Sequence, residues 1–174
     1  MGKSTACHAK VLSPTCVNIY SPLEIESYPE EYHTHPEKCL LLFPTKDAVS
    51  ISSLNLSQYS RLVVLDGTWK QCLSRLYQEP IWSPFQKVTL SQPQSTLFWR
   101  FQSLGKSHLS TIEAIYYVLR DLWMAKFGTY SGELDNILFL FKYHYELIQG
   151  FYNKTGKRFT DRHEGSHTYI KSDH

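Results

Sequence analysis

The chain has 174 residues, 42% of them hydrophobic, and a formal net charge of +2. That length supports one domain with a real core and is too short for two ordinary ones. No apolar run matches a bilayer-spanning helix, the first residues lack the sections of a secretory signal, and four cysteines without CxxC spacing argue against a disulfide or zinc module, so a soluble intracellular protein with free thiols is expected.

The opening stretch MGKSTACHAKVL carries few structural signals. Its Gly2-Lys3-Ser4-Thr5 looks like the end of a phosphate-binding loop without the earlier glycine or strand, and Ala6 stands where a myristoylation pattern needs Ser or Thr, so neither motif is assigned. Val17-Asn18-Ile19-Tyr20 alternates weakly and predicts a short strand. Residues 21–39 hold three prolines and five glutamates and read as a long surface loop. His33, His35 and Cys39 there imitate a metal cluster, but no clear fourth ligand accompanies them and no metal is expected. Cys39-Leu40-Leu41-Leu42-Phe43 is an apolar run halted by Pro44, the pattern of a buried strand, with Thr45-Lys46-Asp47 as the loop at its end.

A second buried strand is expected over 62–65, after which Trp69, Cys72, Leu73 and Leu76 mark the apolar face of a helix closed by Pro80 and Pro84. Between strand and helix stand Asp66, Gly67 and Thr68. In open α/β sheets ligands bind beyond the carboxyl ends of strands, and a turn leading into a helix offers free N–H groups at a positive dipole end. Asp66 therefore has two readings, a helix N-cap or a catalytic carboxylate, and spacing alone does not choose between them.

Residues 87–90 and 97–101 are further strand candidates, separated by a polar, proline-marked stretch. Ser110-Thr111-Ile112-Glu113 matches a capping box, and Ile112, Ile115, Tyr116, Leu119, Leu122 and Trp123 trace one face of the helix it opens. With Gly105 and Lys106 just upstream, this helix start also suits an anion, although Glu113 as capping acid needs no ligand. A last helix over 134–152 presents Leu134, Ile137, Leu138, Phe141, Tyr145 and Ile148. Trp69, Phe98 and Trp99 are core candidates or base-stacking platforms, and Arg75 and Arg100 are solvated cations or phosphate contacts. Residues 153–174 carry five basic and three acidic side chains, a weakly basic tail, while the other 152 balance at 13 against 13. Strands alternating with helices imply an α/β fold, a mostly parallel sheet flanked by helices. No Ser-His-Asp order, HExxH or dinucleotide-binding glycine pattern is present.

Three strings, LLLFPTKDAVSI, LVVLDGTWKQCLSRL and GKSHLSTIEAI, in this order and at about these intervals, resemble the DTW-domain family of tRNA-uridine aminocarboxypropyltransferases. The family's Asp-x-Thr-Trp signature falls on Asp66, Gly67, Thr68 and Trp69, with Gln71 in its expected place. Residues 90–100 match its V-x-L…S…R stretch, and Ser110, Thr111 and Glu113 match its S-T-x-E segment. The pattern covers roughly residues 8 to 150, so residues 1–152 are expected to be the DTW domain, lacking an N-terminal portion that family members carry, with 153–174 as the tail.

The resemblance implies a SPOUT-like fold with a trefoil knot, a topology too rare for any periodicity to reveal. It implies that S-adenosyl-L-methionine donates its 3-amino-3-carboxypropyl group to N3 of a tRNA uridine, uridine 20 of the D-loop, leaving acp3U and methylthioadenosine. Partners would be tRNA without metal or membrane, and the location the nucleus, with the cytoplasm as the other compartment. Carried onto this sequence, Asp66 is the catalytic base. The cofactor pocket comprises Pro44, Thr45, Leu65, Gly67, Thr68, Trp69, Leu109, Ser110, Thr111 and Glu113, and Arg75, Arg100 and Lys106 contact tRNA. Two other readings stand beside it: a SPOUT-like RNA methyltransferase, and a catalytically silent tRNA-binding protein.

Overall fold

The computed structural model describes residues 4–21, 23–96 and 109–155. Strands β1 (Cys39–Leu42), β2 (Val49–Ser50), β3 (Arg61–Val64) and β4 (Gln86–Thr89) form one sheet in the order β2-β4-β1-β3, every pairing parallel. Around it lie α1 (Ala6–Leu12), the single turn α2 (Glu31–Thr34), α3 (Trp69–Gln78), α4 (Thr111–Phe127) and α5 (Phe139–Thr155). Among the described residues no helix is long and apolar enough to cross a membrane.

The layers follow from the two-residue period of a strand. Cys39, Leu41 and Phe43 share one face with Val63, and Cys72 and Leu76 of α3 cover it together with Trp82 and Phe85. Leu40, Leu42 and Val88 share the other face, under Ile51 and Val118 of α4. A sheet covered on both sides needs strands that are apolar throughout, which is why all four residues of β1 are buried. Leu41, Ile51, Ile112, Val88 and Val118 lose essentially all contact with water, each worth about 1.5–3 kcal/mol in transfer free energy. A third cluster of Ala9 in α1, Ile112 in α4 and Phe141 in α5 binds the helices to one another.

The parallel α/β sheet agrees with the pattern of alternating strands and helices, while several local expectations change. Residues 17–20 are not a strand: the Lys10 ammonium donates to the Val17 carbonyl at 2.7 Å, taking the acceptor a neighbouring strand would need. Residues 21–39 are not a bare surface loop. Tyr28 packs on Trp82 (ring centroids 5.6 Å apart) and Tyr32 on Phe85 (5.3 Å), while Glu31 takes the Arg61 guanidinium of β3 at 2.7 Å. Leu73 is 44% exposed, because Cys72 and Leu76, one turn apart, are the residues of α3 that meet the sheet. The last helix opens as a 3₁₀ turn over Asp135–Leu138 before continuing as α5. His35 faces Glu37 at 3.3 Å while Cys39 is sealed in the core, and among the described residues no group of side chains could hold a metal ion. The candidate strand at 97–101 lies outside the described residues.

His8 of α1 is buried and stacks on His144 of α5, ring centroids 5.2 Å apart and ring planes nearly parallel. Burial first, and the neighbouring His144 second, lower the His8 pKa from its ordinary 6.5. The fold therefore favours neutral His8: this contribution to stability is fully present above about pH 6.5 and is lost as pH falls toward the depressed value. Replacing His8 with Phe is expected to reduce the stability lost between about pH 7.5 and 5.5, measured by urea unfolding; equal losses in both proteins would contradict this.

Candidate active site

Parallel strands end at the same edge of a sheet, and Leu42 of β1 pairs with Val64 of β3 there. β1 thus delivers Phe43, Pro44 and Thr45, and β3 delivers Leu65 and Asp66, to neighbouring positions. Gly67 follows at φ +151°, a conformation that L side chains rarely adopt, and a Cβ there would come within 3.3 Å of Gln71 Oε1. Thr68 then caps α3. Its hydroxyl oxygen accepts the Gln71 N–H at 3.3 Å, and Gln71 Oε1 accepts the Thr68 N–H and hydroxyl, both at 2.9 Å. The N-cap is therefore Thr68, two residues past Asp66, and the capping reading of Asp66 falls away because Thr68 already occupies that position.

Asp66, half-buried, has another partner. Its Oδ1 accepts the Thr111 hydroxyl at 2.5 Å, 45 positions away in sequence. Thr111 is the first residue of α4, and the start of that helix is locked from several sides. Glu113, 3% exposed, uses one oxygen to accept the Ser110 N–H at 2.8 Å and the hydroxyls of Ser110 and Thr96 at 2.7 Å each. Thr5, just ahead of α1, accepts the Ile112 N–H at 3.0 Å. The N-termini of α3 and α4 consequently flank one carboxylate, a setting whose partial positive charge suits anionic groups.

The loop after β1 joins through its aromatic residue. The Phe43 ring meets Trp69 at 5.4 Å, and Thr45 turns the chain back by donating its N–H to the Phe43 carbonyl at 2.8 Å and accepting from Ala48 at 3.1 Å. Trp69 also packs against the core cluster beneath α3, which makes it a brace for that helix. Cys72, one turn into α3, donates its thiol to the Leu65 carbonyl at 3.4 Å. Burial, with the Asp66 carboxylate adding to it, pushes its pKa up to about 11, so it is a protonated thiol and no nucleophile at neutral pH.

The structure thus brings the three segments together: 43–45 with Trp69 through the aromatic pair, and 65–69 with 109–113 through Asp66 and Thr111. Arg75 is half-buried on α3, about 9 Å along the axis from Trp69. Arg100 and Lys106 lie outside the described residues, as does most of the tail. Thr5 and Thr96 are site-supporting residues absent from the sequence reading. Ser4-Thr5 ahead of α1 offers at most the signal of a cap for that helix, whereas the Thr5 hydroxyl serves α4.

The family model described as the DTW domain matches residues 2–149. tRNA-uridine aminocarboxypropyltransferase 1 of Rattus norvegicus is 31% identical over 195 residues, covering 85% of this chain and 61% of its own. The protein of that name from Homo sapiens is 30% identical over 196 residues with the same coverage, and that from Xenopus tropicalis 29% identical over 199 residues, covering 90% of this chain and 66% of its own. The chain spans about three-fifths of the length of the mammalian relatives. No solved structure matches.

Replacing Thr68 with Ala removes the cap of α3 and is expected to cost about 1 kcal/mol in chemical denaturation, while Thr68→Ser keeps the hydroxyl and stays within about 0.5 kcal/mol of wild type. Equal losses in the two variants would show that the capping hydroxyl is not what matters.

Proposed function

The chain belongs to the DTW-domain family, and on that footing we propose that it transfers the 3-amino-3-carboxypropyl group of S-adenosyl-L-methionine to N3 of a tRNA uridine. The observation that carries this reading is Asp66. It is a half-buried carboxylate at a strand end, released from helix capping by Thr68, flanked by two helix N-termini and held by Thr111. The relatives' names supply tRNA, uridine and the aminocarboxypropyl group. The donor, uridine 20 as the target and methylthioadenosine as by-product belong to the proposal, as do the SPOUT-like knotted topology and the nuclear location. The parallel sheet with its site at the strand ends supports the topology.

The residues present fit the donor. Helix N-termini suit its carboxylate, and Gly67 keeps the turn free of a side chain. When bound, S-adenosylmethionine would supply an activated carbon beside its sulfonium, with methylthioadenosine as the group that leaves with the C–S electron pair, so that the residues here need only hold the donor and ready N3.

Asp66 handles the proton. Uridine N3–H is a weak acid, and N3 is a useful nucleophile only once deprotonated, so a carboxylate within hydrogen-bond reach is the base that the reaction needs. Arg75 and the lysines of the tail supply tRNA-phosphate contacts that position the substrate without reading its sequence, and Arg100 and Lys106 carry the same assignment. The uridine has to be splayed from its neighbours for its N3 to reach Asp66.

Purified protein incubated with S-adenosylmethionine and unmodified tRNA is expected to form acp-uridine, detected by nucleoside mass spectrometry, together with methylthioadenosine. A methylated nucleoside with S-adenosylhomocysteine would assign a methyltransferase instead. Neither product, with no cofactor binding in calorimetry, would overturn the enzyme reading. Asp66→Asn is expected to bind the cofactor within about 3-fold of wild type and to lose about 10²-fold or more in kcat; wild-type turnover would remove Asp66 from its role.

A further inference from the structure

We propose that Thr111 is a positioning residue for Asp66: its hydroxyl holds one carboxylate oxygen so that the other is presented to the substrate. This rests on the aminocarboxypropyl-transfer reading above. The hydroxyl donates to Oδ1 at 2.5 Å, and among the described residues no hydrogen bond reaches Oδ2. An aspartate in a turn rotates about two side-chain torsions, and a base that rotates spends much of its time misaligned. A single bond from an immobile donor stops that rotation.

The donor is immobile for reasons independent of Asp66. Ser110, Ile112 and Glu113 are 7%, 0% and 3% exposed, and each is fixed by a bond of its own: Ser110 to Glu113, Ile112 to Thr5, and Glu113 to Thr96 as well. Thr111 is β-branched, which restricts its χ1 within the helix. Its backbone is therefore anchored on both sides while its hydroxyl points across to the turn after β3. Helix capping does not explain that direction, since Ser110 and Glu113 form the reciprocal pair at this helix start.

The proton has a defined path. It leaves uridine N3 for Asp66 Oδ2, the electron pair of the N–H bond stays on N3 to form the new N–C bond, and the proton passes to solvent when the products depart. Thr111 keeps its own proton throughout, bonded at Oδ1. Nothing is oxidised or reduced.

Thr111→Val removes the hydroxyl while keeping the shape, Thr111→Ala removes it without the branch, and Thr111→Ser restores it. With saturating S-adenosylmethionine, Thr111→Val and Thr111→Ala are expected to lower kcat by about 10- to 100-fold. KM for tRNA should stay within about 3-fold of wild type, and Thr111→Ser should return kcat to within about 3-fold of it. An active wild type with an equally active Thr111→Val overturns the positioning role alone. A Thr111→Ser variant as slow as Thr111→Val, with unchanged melting, also overturns it, because the hydroxyl would then not be the group that matters. Absence of acp-uridine from the wild type overturns the underlying reading and this proposal with it.

Discussion

The Asp66 carboxylate and the Thr111 hydroxyl stand 45 positions apart in sequence and 2.5 Å apart in space. Each end of that bond is held by a different part of the fold. Asp66 is fixed from behind by β3, whose Val63 is buried under α3, and from ahead by the left-handed turn at Gly67 and the Thr68 cap. Thr111 is fixed by the buried hydrogen bonds around Glu113 and by Thr5 reaching over from α1. A hydrogen bond to a charged group, worth about 1.5–3 kcal/mol, is large enough to set the geometry of one side chain and too small to hold two unsupported loops together. The packing supplies the rest.

That packing explains why the site sits where it does. In a parallel sheet with helices on both faces, the strand interiors are closed to water, so exposed chemistry collects in the loops beyond the strand ends. The odd residues of β1 are committed to α3 and the even ones to α4, which leaves Phe43 as the last side chain that can reach Trp69 before Pro44 ends the strand. The same two-sided burial keeps Cys72 a neutral thiol beside Asp66.

Much of this was legible in the sequence, and for a common reason. β1, β3 and β4 are short apolar or alternating runs bounded by Pro, Asp or Ser, and the start of α4 announces itself through Ser110-x-x-Glu113, a pattern whose physics is local. The unread parts depend on partners distant in the chain. α1 is stabilised by contacts to α4 and α5, and the two-residue β2 exists through pairing with β4. The tyrosines of the glutamate-rich stretch pack against the core through Trp82 and Phe85, which follow about fifty positions later. Leu73 fitted a helical stripe, but a 10-residue helix meets a sheet along a narrower line than its apolar residues suggested. Even the identity of the cap at the Asp66 turn turned on two residues of spacing, and that small displacement is what leaves the carboxylate available.

The coupling between Asp66 and Thr111 is open to direct measurement through a double-mutant cycle on folding stability with Asp66→Ala, Thr111→Val and the double variant. If the bond joins two separately anchored segments, the losses of the single variants should together exceed that of the double variant by about 1–2 kcal/mol. Losses that add to within about 0.3 kcal/mol would mean that the two side chains do not hold each other, and the joined site would have to be given up.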